Sequence, residues 1–220
     1  MPAAPPAPLD LAFADLDVGT RYKLMSGLVI PRPIALVTSV GRDGVTNAAP
    51  FSYFNVFSED PPLVVLGLQA RADGGPKDTA RNIRATGEFV VNLVDEALAE
   101  GMNVCAVDFP PEEGEIDAAG LTLAPSSSVA PARIEEAPVA FECKVNVVLA
   151  FNAKRDLVVG EVLHVHARPG IVEPGTFRVD TDAYRPIGRF FGNFYSYQRE
   201  LFQLKRETHA EWRERRGGEG

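Results

Sequence analysis

Cysteine is scarce in this chain: Cys105 and Cys143 are the only two in 220 residues, and they form neither a CxxC pair nor any other zinc-ligand spacing. That removes the usual supports for a metal site or a disulfide framework, and two such isolated cysteines are expected to be plain buried thiols. The GxGxxG, GxxxxGKS/T and GxSxG fingerprints are also missing, so Rossmann, P-loop and α/β-hydrolase readings lose their signatures. No apolar run approaches the length of a membrane helix, and the opening Met1-Pro2-Ala3-Ala4-Pro5-Pro6-Ala7-Pro8 has no basic or apolar signal-peptide region. A cytoplasmic protein with no membrane association is expected. Basic residues are outnumbered, 22 against 30 acidic, for a formal charge of −8. The field of such a molecule repels nucleic acid, so no nucleic-acid partner is expected, and any phosphate-bearing ligand must be held by a local site.

What is present reads as a packed, mainly β domain. The composition is 45% hydrophobic and 24% charged, far from the profile of disorder, and the length suits one large unit. Residues 1–20 form a Pro/Ala-rich lead-in. Residues 34–40 (IALVTSV) have strand composition and precede Gly41-Arg42-Asp43-Gly44, a hairpin signal, with a strand returning through residues 45–47. Further strands are expected at 51–57, 63–69 and 89–94. A short helix is expected from Asp78, as its cap, to Arg84, with Gly87 as a left-handed stop. Residues 106–138 read as a long proline-rich surface excursion that covers a ligand or a partner. Two long strands follow at 139–151 and 157–167, and residues 197–216 carry helical spacing before a frayed tail at 217–220. Dense hairpin signals favour an antiparallel sheet or barrel over βαβ units.

Three stretches place hydroxyls, amides and small residues where a strand would normally bury bulk. Thr38 and Ser39 end a strand and either donate to a phosphate or cap the local backbone. Asn47-Ala48-Ala49-Pro50-Phe51-Ser52 lacks bulk and loses a backbone donor at Pro50, so it is either a platform for a flat ring or a proline-interrupted edge strand. Lys77-Asp78-Thr79-Ala80-Arg81-Asn82 offers helix N-terminal amides, a charge and a hydroxyl to a phosphate, or is simply a capped surface helix. Asp78 would repel a phosphate unless its carboxylate is occupied as the N-cap.

In order, RPIALVTS, NAAPFSYFN, SEDPPLVV, KDTARNI, GEFVVNLV, AGLT and EC followed by GEVLHVHA closely resemble the flavin reductase-like, FMN-binding split-barrel family, which includes flavoredoxin-type proteins. The resemblance spans residues 20–197. It implies a six-stranded Greek-key split barrel, a domain over 21–197 with a C-terminal helix and tail over 198–220, and a homodimer with one FMN at each subunit interface. It further implies cofactor contacts from Thr38, Ser39, Asn47, Ala49, Pro50, Ser52, Lys77, Asp78, Thr79 and Asn82. Asn193 and Tyr195 match a segment that approaches the flavin, from the same or the partner subunit. His164 and His166 lie two apart on an expected strand and so share a face, with His166 either a donor toward nicotinamide or substrate or a packed strand histidine. The aromatic cluster Phe190, Phe191, Phe194, Tyr195, Tyr197 and Phe202 divides between dimer core and flavin wall, and interface packing is the favoured reading. The function so implied is NAD(P)H-dependent reduction of FMN, with an oxygenase or redox protein as acceptor. An FMN electron carrier fed by a protein partner and a non-redox binding module are the competing readings.

Overall fold

The computed structural model describes residues 8–71, 74–109 and 114–217. In chain order the elements are α1 Val18–Leu28, β1 Ala35–Val40, β2 Thr46–Phe51, β3 Phe54–Glu59, β4 Pro62–Gln69, α2 Asp78–Thr86, β5 Glu88–Leu93, α3 Ala99–Val104 and α4 Glu115–Ala118. They continue with β6 Leu123–Ala124, β7 Arg133–Ile134, β8 Val139–Asn152, β9 Arg155–Ala167, α5 Thr181–Tyr184, β10 Ile187–Arg189, β11 Tyr195–Tyr197 and α6 His209–Gly217.

One antiparallel sheet dominates, in the order β2-β1-β5-β8-β9-β4-β3. Its two edge strands are consecutive in sequence, parted only by Ser52 and Tyr53, and the Gly67 amide donates to the Tyr53 carbonyl across that bend at 2.7 Å. The sheet therefore curls until its two edges meet in one bent stretch of chain, each edge strand keeping a single partner. The seven strands of the sheet answer to the seven strand segments expected from sequence, one more than the six that the resemblance implies, and the division between the second and third falls at Ser52 and Tyr53 and not at Pro50. The break falls after Phe51, so β2 runs through Pro50, which lies opposite Leu36 on a strand with one partner only. The connection from β4 to β5 crosses the barrel mouth as α2, giving the Greek-key order.

Alternation along β1 divides the core. Ala35 and Val37 face the barrel interior with Leu66, Ile83, Phe89, Val91 and Val158. Ile34 and Leu36 face outward and are buried by Leu98, Met102, Cys105, Ile116 and Ile134. α3 with its flanking residues and the excursion across residues 106–138 together build a second core; residues 110–113 of the excursion lie outside the described set, as do 1–7, 72–73 and 218–220. Both cysteines are free and buried, and burial pushes their thiols up, Cys105 to about 11 and Cys143 to about 12.

Three local expectations are corrected. α1 begins inside the stretch read as lead-in, capped by Asp17, whose carboxylate accepts from the Thr20 amide at 3.0 Å. Two glycines and irregular apolar spacing hide it from periodicity. The C-terminal helix spans only His209–Gly217, because Leu201, Phe202 and Leu204 meet no surface in the chain, and periodicity without burial does not hold a helix. Asp78 is the first helical residue of α2 and not its cap. Lys77 occupies the cap position and gives no side-chain bond to the helix, while Gly87 takes the expected left-handed stop at φ 74°.

Gly160 of β9 is required by close approach: a Cβ there would lie 2.4 Å from Cζ of the fully buried Phe89. Gly160→Ala should lower stability by about 1–3 kcal/mol through overpacking. Thermal unfolding checks this, and Phe89→Leu in the same chain should recover part of the loss.

Candidate functional site

The expected polar residues converge where α2 crosses the barrel mouth. Asn47 on β2 stands opposite Ser39 on β1, and each is tied to α2 by one bond. Asn47 donates through Nδ2 to Thr79 Oγ1 at 3.0 Å, and Asn82 donates through Nδ2 to Ser39 Oγ at 3.3 Å. All four side chains are buried. Ala80 and Ile83 on the inner face of α2 fill the mouth apolarly, which leaves the first turn at the edge of an open cleft of about 660 Å³. That volume falls in the range of roughly 300–1,000 Å³ typical of small-molecule sites.

Asn47, Ala49, Pro50, Lys77, Asp78 and Thr79 all line this cleft. No side chain among the described residues caps α2, so its first amides, at the positive end of the helix dipole, lack a side-chain partner where Lys77, Asp78 and Thr79 line the cleft. Among the described residues the Lys77 ammonium has no carboxylate partner, whereas Asp78 is occupied by two guanidiniums, those of Arg71 and Arg81. The carboxylate that would oppose an anion is therefore countered, though by arginines and not by capping.

Several residues lining the cleft carried no signal in the sequence. Gln69 and Arg71 come from the end of β4, and Cys105 through Phe109 with Glu115 from the excursion. Burial, with the Asp78 charge adding to it, holds the Glu115 carboxyl above its ordinary range. The far wall is thus less anionic than its composition implies.

Other anticipated residues lie elsewhere within the protomer. Thr38 faces away from Ser39, as strand alternation requires. Its hydroxyl donates to the Ala132 carbonyl at 2.6 Å and accepts from Asn92 Nδ2 at 3.3 Å. Ser52 sits in the β2–β3 bend and accepts from Arg32 Nε at 3.3 Å. Asn193 is exposed in a turn, and Tyr195 lies 4.4 Å beneath the Arg189 guanidinium with its hydroxyl 3.4 Å from Asn103 Oδ1. None of these four lines the cleft. His164 and His166 do share a face, their rings 4.7 Å apart, but His166 also lies outside the cleft lining. Its Nε2 is 2.5 Å from Glu142 Oε1, and the fully buried Glu142 also accepts the Ser127 and Ser128 amides at 2.6 and 2.5 Å. Among the described residues no group of three potential ligands could hold a metal ion, and no helix is long and apolar enough to cross a membrane.

Residues 25–188 match the flavin reductase like domain. The chain belongs to the flavin reductase-like family. A relative from Halalkalibacterium halodurans is 42% identical over 199 residues, 88% of this chain and 94% of its own, and one from Bacillus subtilis, YwrF, is 41% identical over 88% and 96%. Among solved structures, the 2-nitrobenzoate 2-nitroreductase NbaA of Pseudomonas fluorescens superposes with a TM-score of 0.84 at 38% identity, covering 91% of this chain and 98% of that one. Nitrilotriacetate monooxygenase component B of Bacillus cereus gives 0.84 at 36% identity, over 91% and 100%. Flavin reductase-like membership fits a cleft whose polar wall is a helix N-terminus with the Thr79 hydroxyl and the Lys77 ammonium.

The Glu142 carboxyl illustrates how the site's surroundings respond to pH. Burial pushes it up, but the Ser127 amide, His166 and the Ser128 amide outweigh burial and leave it below its ordinary value of 4.5. A depressed folded value stabilises fully above that ordinary value and is lost as pH falls through the folded one. Glu142→Gln should therefore cost about 1–3 kcal/mol at neutral pH and make stability less steep in acid, read by denaturant unfolding across a pH series.

Proposed function

We propose that the cleft holds FMN and that the protein uses it to take reducing equivalents from NAD(P)H, working as a flavin reductase. The observation that carries this reading is the convergence of Lys77, Thr79 and the uncapped first turn of α2 at one end of a cleft floored by Ala49 and Pro50. The phosphate is a dianion at neutral pH, and on a molecule of formal charge −8 it needs such a local positive site. Lys77, the Thr79 hydroxyl and the first amides of α2 serve it, and Ser39, Asn47 and Asn82 fix the helix that presents them. Asp78 lies beside this group with its charge met by Arg71 and Arg81. Ala49 and Pro50 carry no bulk, so a planar ring can lie against the backbone of β2. Bound there, the flavin supplies hydride acceptance at N5, chemistry that needs no acid-base triad from the protein.

We further propose that the working form is a homodimer. Val147, Leu149 and Phe151 on β8 and Leu163 and Val165 on β9 are exposed along the two longest strands, with Phe191, Phe194 and Phe202 exposed nearer the C-terminus. Single exposed apolar residues are ordinary, but a run on paired strands marks an interface. Ser52, Asn193, Tyr195 and His166 then reach flavin or nicotinamide from across that interface, and Thr38 acts by holding the excursion in place. The acceptor is an oxygenase, as the likeness to a monooxygenase component suggests. Direct reduction of a nitroaromatic is the second reading, favoured by the likeness to NbaA.

Freshly purified protein should take up FMN, and mixing with NADH or NADPH under nitrogen should bleach its absorbance faster than that of free FMN. Bleaching no faster than free flavin would leave an electron carrier fed by another protein. Lys77→Ala with Thr79→Ala should weaken FMN on the order of 10²-fold, the sum of two bonds to a charged group, measured by fluorescence quenching. Turnover of 2-nitrobenzoate without oxygen separates the two acceptor readings.

A further inference from the structure

A small recess opens beside the cleft and shares Gln69 and Ala70 with it. It is formed where α2, through Ala80 and Arg84, meets the tip of the β8–β9 hairpin, and the Ala70 amide fixes that tip by donating to the Lys154 carbonyl at 3.1 Å. Three cations line it, Arg84, Lys154 and Arg155, against one acid, Asp156. Arg84 and Asp156 satisfy each other at 2.5 Å. Arg155 spends one donor on the Lys154 carbonyl at 2.9 Å, and among the described residues the Lys154 ammonium has no acceptor. Two positive charges thus remain unmatched in a concavity of a strongly acidic molecule. Arg84 lies seven residues beyond Lys77, the cap of α2, about 10 Å along the helix axis.

We infer that this recess receives a second phosphate, carried by the adenosine half of a dinucleotide whose other half occupies the cleft. The inference rests on the cleft being a nucleotide site, as proposed above. Two sources share the chemistry: the adenylate phosphate of FAD, and the 2′-phosphate of NADPH. A planar guanidinium beside a mobile ammonium suits a phosphate's several acceptor oxygens, and neither cation has to leave a carboxylate to engage it.

The test compares the parent with Lys154→Gln/Arg155→Gln, a pair that takes no part in the FMN contacts. FMN and FAD affinities are measured by fluorescence quenching, and KM is measured for NADPH and NADH. An FAD affinity lowered about tenfold with FMN unchanged assigns the recess to the adenylate phosphate, and an NADPH KM raised about tenfold with NADH unchanged assigns it to the 2′-phosphate, a change expected for two lost charged contacts. If the paired variant fails to fold, Lys154→Gln alone serves, with a change of about threefold in the same quantities. Equal weakening of FMN and FAD without coenzyme discrimination, or no change in any of the four, overturns the inference while leaving the flavin reductase reading intact. A parent that binds no flavin overturns both.

Discussion

One stretch of chain, residues 46–59, has to form both edges of a single sheet, and the rest of the architecture follows from that requirement. β2 pairs with β1 and β3 pairs with β4, so the bend at Ser52 and Tyr53 is where the sheet closes on itself. Closure fixes the diameter of the barrel and so the space at its mouth. α2 fits that space because Ala80 and Ile83 enter the core while Thr79 and Asn82, one turn apart, meet Asn47 and Ser39 on adjacent strands. Four polar side chains buried together are tolerable only when bonded, since an unpaired one costs about 1–3 kcal/mol. The pairings therefore dictate which way the helix is turned, and with it the direction of its first amides.

Electrostatics at the mouth bears more on the local field than on stability. The pairs that Asp78 makes with Arg71 and Arg81 are partly exposed, and such pairs are worth about 0–1 kcal/mol at most. Their larger effect is on the field: they offset the acid nearest the helix N-terminus and, among the described residues, leave the charge of Lys77 without a paired carboxylate. Glu115 on the opposite wall, made harder to ionise by burial, acts in the same direction. An acidic protein can in this way carry a local site of opposite sign without changing its net charge.

How much of this was legible in the sequence depended on whether the signal was local. The β1 strand, the Gly87 stop, the long β8–β9 pair and the shared face of His164 and His166 follow from alternation and turn chemistry, and the structure has them. The grouping of Asn47, Lys77 and Thr79 was legible only as an ordered set of motifs, because nothing local says that β2 and α2 meet. The edge strand was one of the two readings of the stretch around Pro50, but the bend after Phe51 was invisible, because residues 51–57 read as one unbroken strand. The capping role of Asp78 was misplaced because an acid at the first helical position reads just like one at the cap. Arg71, Cys105 and Glu115 enter the cleft from segments with no periodic pattern, and only tertiary packing brings them there.

The outer face of the sheet, across β1, β5 and β8, bears on the cleft as much as the inner one does. Thr38, Asn92 and Glu142 look structural in isolation, yet each holds one point of the excursion: the Ala132 carbonyl, the Ile134 amide at 2.8 Å, and the Ser127 and Ser128 amides. The same excursion supplies Glu115 and the segment from Cys105 to Phe109 as the far wall of the cleft. A wall made of loop has little register of its own, so its position is set by these buried polar anchors and by Ile116 and Ile134 in the second core. Strand alternation thus assigns adjacent residues to opposite tasks, with Ser39 orienting the helix that forms one wall and Thr38 fixing the loop that forms the other.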